Sequence, residues 1–121
     1  MESRWHDESW RTPYDLRSSC YCFVKLSGDQ VTLCDTSGEQ PIGVLQNHPR
    51  SGEIAQVRVM GRSKIKGAAT VQCGRYAKTN HSGMAINAAS GDWVQAWAQQ
   101  RAHAGAETYF MVMPAPRQAQ L

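Results

Sequence analysis

The strand pattern is clearest in "PIGVLQNHPRSGEIAQVRVMGRSKIKG", residues 41–67. Pro41 opens a strand at a position where a missing N–H does little harm. Ile42 to Gln46 continue it, and Asn47 to Gly52 read as a loop of turn-forming residues. From Glu53 onward the pattern has a period of two. Ala55, Val57 and Val59 share one face, and Gln56 and Arg58 share the other. Ile54 is out of phase with the apolar face, which predicts a bend or bulge at the strand start. Gly61 interrupts the strand, and Ser63-Lys64-Ile65-Lys66 resumes it with both lysines outward. The alternation therefore sets Arg58, Lys64 and Lys66, with Arg62 beside them, along a basic ridge.

The same period extends to both sides. In "CYCFVKL", residues 20–26, Cys20, Cys22, Val24 and Leu26 fall on one face and Tyr21, Phe23 and Lys25 on the other. Ser27-Gly28-Asp29 is a turn, "VTLC" at 31–34 a short strand, and residues 35–39 are again turn chemistry. "RYAK" and "MAIN", joined by residues 79–83, read as a hairpin. "DWVQAWAQQRAHAG" is ambiguous: Trp93 and Trp97 are spaced for a helix, yet Trp93, Gln95 and Trp97 also alternate with Val94, Ala96 and Ala98. The reading preferred is a strand over 93–99 that runs into a helical turn near 100–104. "TYFMVM" at 108–113 is a final strand that Pro114 ends.

Short strands and frequent Gly-centred turns predict an all-β fold, a small compact β-barrel or β-sandwich with at most one short helix. Residues 1–19 fit no period and read as an extended N-terminal arm; 20–113 form the β domain, and 114–121 a C-terminal tail. The arm carries Trp5, Trp10 and Tyr14 among charged residues. Such aromatics either fold back on their own domain or anchor on a neighbour, since Trp, Tyr and Arg are the side chains that anchor interfaces.

At 121 residues the chain is one domain, long enough to bury a core without metals or disulfides. No run of 18 apolar residues reads as a membrane-spanning helix. The polar N-terminus does not read as an export signal. Synthesis in the cytoplasm is thus expected, with Cys20, Cys22, Cys34 and Cys73 as free thiols. Zinc is the weaker reading, because Cys20 and Cys22 are one residue apart and the other two stand alone. The net charge of +3 is unevenly spread. Residues 1–40 hold four basic and seven acidic side chains, whereas 41–80 hold seven basic and one acidic. An acidic front and a basic middle can pair head to tail between copies, or face a partner of mixed charge.

No chemistry stands out. His6, His48, His81 and His103 have no ligand spacing among them. The serines lack a nucleophile elbow, and the glycines form no phosphate loop. Neither catalytic residues nor a cofactor or metal site are assigned. A single-stranded nucleic-acid-binding β-barrel is the alternative, with bases on aromatics and phosphates on Lys and Arg. Against it, "RVMGRSKIK" contains no aromatic residue, and the charge excess is small for a phosphate binder.

The order of parts has a counterpart. "PIGVLQN", the turn "SGE", "AQVRVMGRSKIKG", then "CGRYAKTN", "SGMA" and a last pair of strands resemble the decoration, or cement, proteins of tailed-bacteriophage capsids, over about residues 21–113. The arm, the last eight residues, and Trp93 and Trp97 lie outside the likeness. The resemblance implies a compact β-protein without catalysis or cofactor. It would bind the outside of the virion shell through the major capsid protein and through copies of itself, as a homotrimer or homodimer. On this reading Trp5, Trp10 and Tyr14 anchor the arm on a neighbouring subunit, and Arg58, Arg62, Lys64 and Lys66 meet an acidic surface.

Overall fold

In the computed structural model, which describes residues 5–119, the alternating segments become nine strands. They are β1 (His6–Arg11), β2 (Phe23–Ser27), β3 (Gln30–Leu33), β4 (Gly43–Leu45), β5 (Ile54–Lys66), β6 (Tyr76–Thr79), β7 (Ala85–Asn87), β8 (Trp93–Ala98) and β9 (Glu107–Gln118). The described residues contain no helix. The strand order is β1-β3-β2-β4-β5-β9-β8-β6-β7, and β1 also pairs with β5. That extra pairing closes β1, β3, β2, β4 and β5 into a circuit, its weakest seam being the single parallel pair Arg11↔Gln30. Closure satisfies backbone groups that open edges would leave exposed.

β5 belongs to two sheets. Its first half pairs with β1 and β4, and its second half, from Gly61↔Val112 onward, pairs with β9. The turn between the halves falls at Gly61, whose φ of 109° is one that L side chains rarely adopt. The glycine that interrupts the sequence pattern thus bends one continuous strand from the five-strand circuit into a second sheet, β5-β9-β8-β6-β7.

Each sheet has its own core. Leu16, Val24, Val31, Leu45, Ala55 and Val57 fill the circuit. Phe23, Val44, Ile65, Ala96, Phe110 and Val112 are part of a larger cluster that includes residues of the second sheet. β2 and β4 serve both: Phe23 and Val44 join one cluster, Val24 and Leu45 the other. Adjacent residues of a strand project to opposite faces, so a strand buried on both faces shows no polar–apolar alternation. Gln95 ties the halves together, its buried amide donating to Ile42 O (2.8 Å) and Met113 O (3.1 Å).

Several expectations are corrected. The segment read as aperiodic contains β1, paired with β5 from His6↔Met60 to Arg11↔Ile54, so residues 6–11 are a docked strand. Cys20 and Cys22 precede β2 in a turn where Tyr21 has φ 67°; they are buried, but not as one strand face, and Leu26 is 44% exposed. The strand expected over 93–99 is present as Trp93–Ala98, but residues 100–104 form no helical turn. The last strand does not stop at 113. Val112 pairs with Ala96 and Arg117 with Val94, so residues 113–116 lie across from Gln95 as a bulge. Pro114 and Pro116 fall there, where donors to the ladder are not required.

Candidate docking surface

Alternation along β5 buries Ser63 and Ile65 and turns Arg62, Lys64 and Lys66 to the opposite face. Directly paired residues on antiparallel strands share a face, so the register extends this side across the second sheet. Arg62 pairs with Met111 on β9, Met111 with Trp97 on β8, and Trp97 with Tyr76 on β6. One step along, Lys64 pairs with Tyr109. Met111, Trp97, Tyr76 and Tyr109 are all half-buried.

The cations are laid onto the rings. The Arg62 guanidinium lies 3.9 Å from the centre of the Tyr109 ring and Lys64 Nζ 5.8 Å from it. At the far side Arg117 is 5.1 Å from the Tyr76 ring centre and donates a hydrogen bond to the Tyr76 hydroxyl. Contacts of this kind contribute about 0.5–1 kcal/mol each at exposed sites. A depression of about 440 Å³, lined by Gln72, Arg75, Tyr76 and Asn87 among others, shares Tyr76 with the row.

The other residues singled out in the sequence are engaged within the chain or lie elsewhere. Arg58 is half-buried and engaged: Nε meets Asp7 Oδ1 at 2.8 Å, Nη1 donates to Arg62 O at 2.9 Å, and the guanidinium sits 5.4 Å from the Trp5 ring centre. Lys66 Nζ donates to Ser18 O at 2.9 Å. Trp10 packs against the core of the circuit. Trp5 and Tyr14 are exposed, at 58% and 62%. The structure thus brings Arg62 and Lys64 together, joins Arg58 to Trp5, and separates both groups from Tyr14.

Tyr76 and Trp97 entered the sequence reading only as aromatics for the nucleic-acid alternative, Trp97 also as a residue outside the likeness, and Tyr109, Met111 and Arg117 were not singled out. The alternation in "TYFMVM" and "WVQAW" marks which residues share a face, but not which strands are neighbours. No aromatic shares β5 with the basic residues, yet the two kinds interleave across strands.

The remaining charges are mostly paired within the chain. Lys25 Nζ bridges Asp35 (2.7 Å) and Glu39 (2.8 Å), and both carboxylates raise its pKa. Hydrogen bonds from Arg17 hold the Asp15 carboxyl down at about 2. Asp92 is lowered by the Ala89 N–H and by Lys78, 3.0 Å away. Burial pushes the Cys34 thiol up to about 12 and also raises Cys20 and Cys22. Among the described residues no three His, Cys, Asp or Glu side chains are grouped to hold a metal ion. What the surface offers is cationic donors above a half-buried aromatic floor, a composition suited to non-covalent contact.

No family model matches the sequence, and no curated protein does. Among solved structures the fold is matched by the N base of the head fibre gp8.5 of bacteriophage phi29. The TM-score is 0.71 over 96% of this chain and 100% of that chain, at 14% sequence identity. At that identity the likeness is one of fold.

Proposed function

We propose that this chain is a structural component of a tailed-phage head, a decoration module that docks on the outside of the assembled shell. The observation that carries the reading is the likeness of fold to the base of a phage head fibre, which takes in nearly the whole of this chain. A part of this kind needs rigidity and contact surface rather than an active site, and a closed circuit braced by a second sheet supplies rigidity.

Each contact can be modest. A specific interface buries about 1,200–2,000 Å² in total, and a homo-oligomer touching several shell subunits multiplies weak contacts through effective concentration. Binding only the mature shell would stabilise that state by mass action. The test is co-sedimentation of the purified chain with empty heads assembled from the major capsid protein of the phage that encodes it. Saturable loading, with a higher temperature of head disruption, supports the reading; absence of loading at any protein concentration overturns it.

A further inference from the structure

We infer that the outer face of the second sheet, centred on Arg62, Lys64, Trp97, Tyr109 and Met111, is the docking surface, and that its occupant is a carboxylate-rich face of a different protein. This rests on the docking reading above but is testable apart from it.

Three observations carry it. First, the folded chain engages most of its own acids. Asp7, Asp15, Asp35, Glu39 and Asp92 sit in internal ion pairs and Glu8 meets the His6 ring, which leaves Asp29, Glu53 and Glu107 without an ion-pair partner among the described carboxylates, Glu107 lying across from Lys66 at the end of the β5–β9 pairing. Arg62, Lys64 and Arg117 have no carboxylate partner among the described residues, and neither have Arg11, Arg50, Lys66, Arg75 and Arg101. The excess is cationic, which favours an acidic partner, and a second copy could offer only Asp29, Glu53 and Glu107 from outside its own ion pairs and the His6–Glu8 contact.

Second, these cations gather where the apolar surface is. Arg62 sits beside Met111, and Met111 beside Trp97, in one cross-strand row. Arg, Trp, Tyr and Met are the side chains enriched in interface centres. Third, the guanidiniums already cover ring faces, with Arg62 3.9 Å above Tyr109 and Arg117 over Tyr76. A nucleic acid would have to displace them to stack its bases on Tyr109 or Tyr76, which leaves Trp97 as the ring open to it. A carboxylate needs no ring face; it takes the N–H edges of the stacked guanidinium, where a bidentate pair forms.

The isotope-labelled chain is titrated with poly-L-glutamate and, separately, with a fifteen-residue oligothymidylate, and amide shifts are followed by NMR. Poly-L-glutamate is expected to move Arg62, Lys64, Trp97, Tyr109 and Met111, and the effect shrinks with added salt. The double variant Arg62→Glu/Lys64→Glu is expected to weaken that binding about tenfold or more. Arg50→Glu/Arg101→Glu, with the same net charge, is expected to change it less than about twofold. Equal losses in both variants, or shifts away from this face, overturn the inference. Tighter oligothymidylate binding at the same residues overturns it in favour of nucleic acid. Concentration-dependent self-association abolished by Arg62→Glu/Lys64→Glu overturns it in favour of a second copy. If the unmodified chain fails to load on heads while the poly-L-glutamate result stands, the proposed function falls and the surface assignment survives. Should Arg62→Glu/Lys64→Glu fail to fold, Arg62→Gln/Lys64→Gln replaces it, with a smaller loss at the same residues expected.

Discussion

Replacing Gly61 with alanine tests the bend on which the two-sheet arrangement depends. The residue is buried and its φ is 109°. Forcing a side chain into a sparsely populated backbone region costs about 1–3 kcal/mol. Alanine also stiffens the unfolded chain, which returns about 0.4–1 kcal/mol. With the middle of each range, the net expected loss is about 1.3 kcal/mol. For a chain of this size that lowers Tm by roughly 4–8 °C. Urea unfolding followed by tryptophan fluorescence and by circular dichroism measures it, and both probes should report one transition. Gly61→Val should be worse, because a β-branched residue at positive φ is a stronger outlier. Gln56→Ala, exposed on the same strand, should stay within about 0.5 kcal/mol of the parent. A Gly61→Ala protein as stable as the parent would refute the argument that this glycine makes the bend.

Three further outcomes follow. Gln95→Leu, which strips the amide that donates to Ile42 O and Met113 O, should cost about 1–3 kcal/mol in the same assay; an unchanged midpoint would mean the tie between the sheets is idle. Native alkylation near pH 8 should modify Cys73 alone, since Cys20, Cys22 and Cys34 are buried and their thiols are raised; mass spectrometry showing rapid labelling of the buried three would contradict the packing. Asp15, Asp35 and Asp92 have carboxyls lowered in the folded chain, so their stabilisation is present above the usual value of 3.8 and is lost as pH falls through the lowered values, about 2 for Asp15. Urea midpoints should therefore decline below about pH 4, and a midpoint that rises on acidification would invert the assigned sign.

The all-β class was legible because period-two alternation survives in β5 and β6, and because Gly61 marks the place where β5 changes sheets. β1 was not legible. Its residues HDESWR are mostly exposed and carry no apolar period, so its pairing with β5 is visible only in three dimensions. β2 misled for the opposite reason: Phe23 and Val24 are both buried, in different cores, and a strand covered on both faces loses its alternation. The basic ridge was half legible. Parity gives Arg62 and Lys64 correctly, but Asp7 approaches Arg58 from β1 and Ser18 reaches Lys66 from the segment before β2. Trp97, Tyr109 and Met111 join the surface only through the order β5-β9-β8, which no local pattern encodes.

A rigid all-β unit docked on a phage shell through the outer face of its second sheet would be seen by electron cryomicroscopy of heads incubated with the purified chain. A compact unit on the shell exterior is expected, with Arg62, Lys64 and Trp97 turned toward acidic side chains of the shell. Bare heads at saturating protein, or a bound unit whose Arg62–Trp97 face points to solvent, would contradict it.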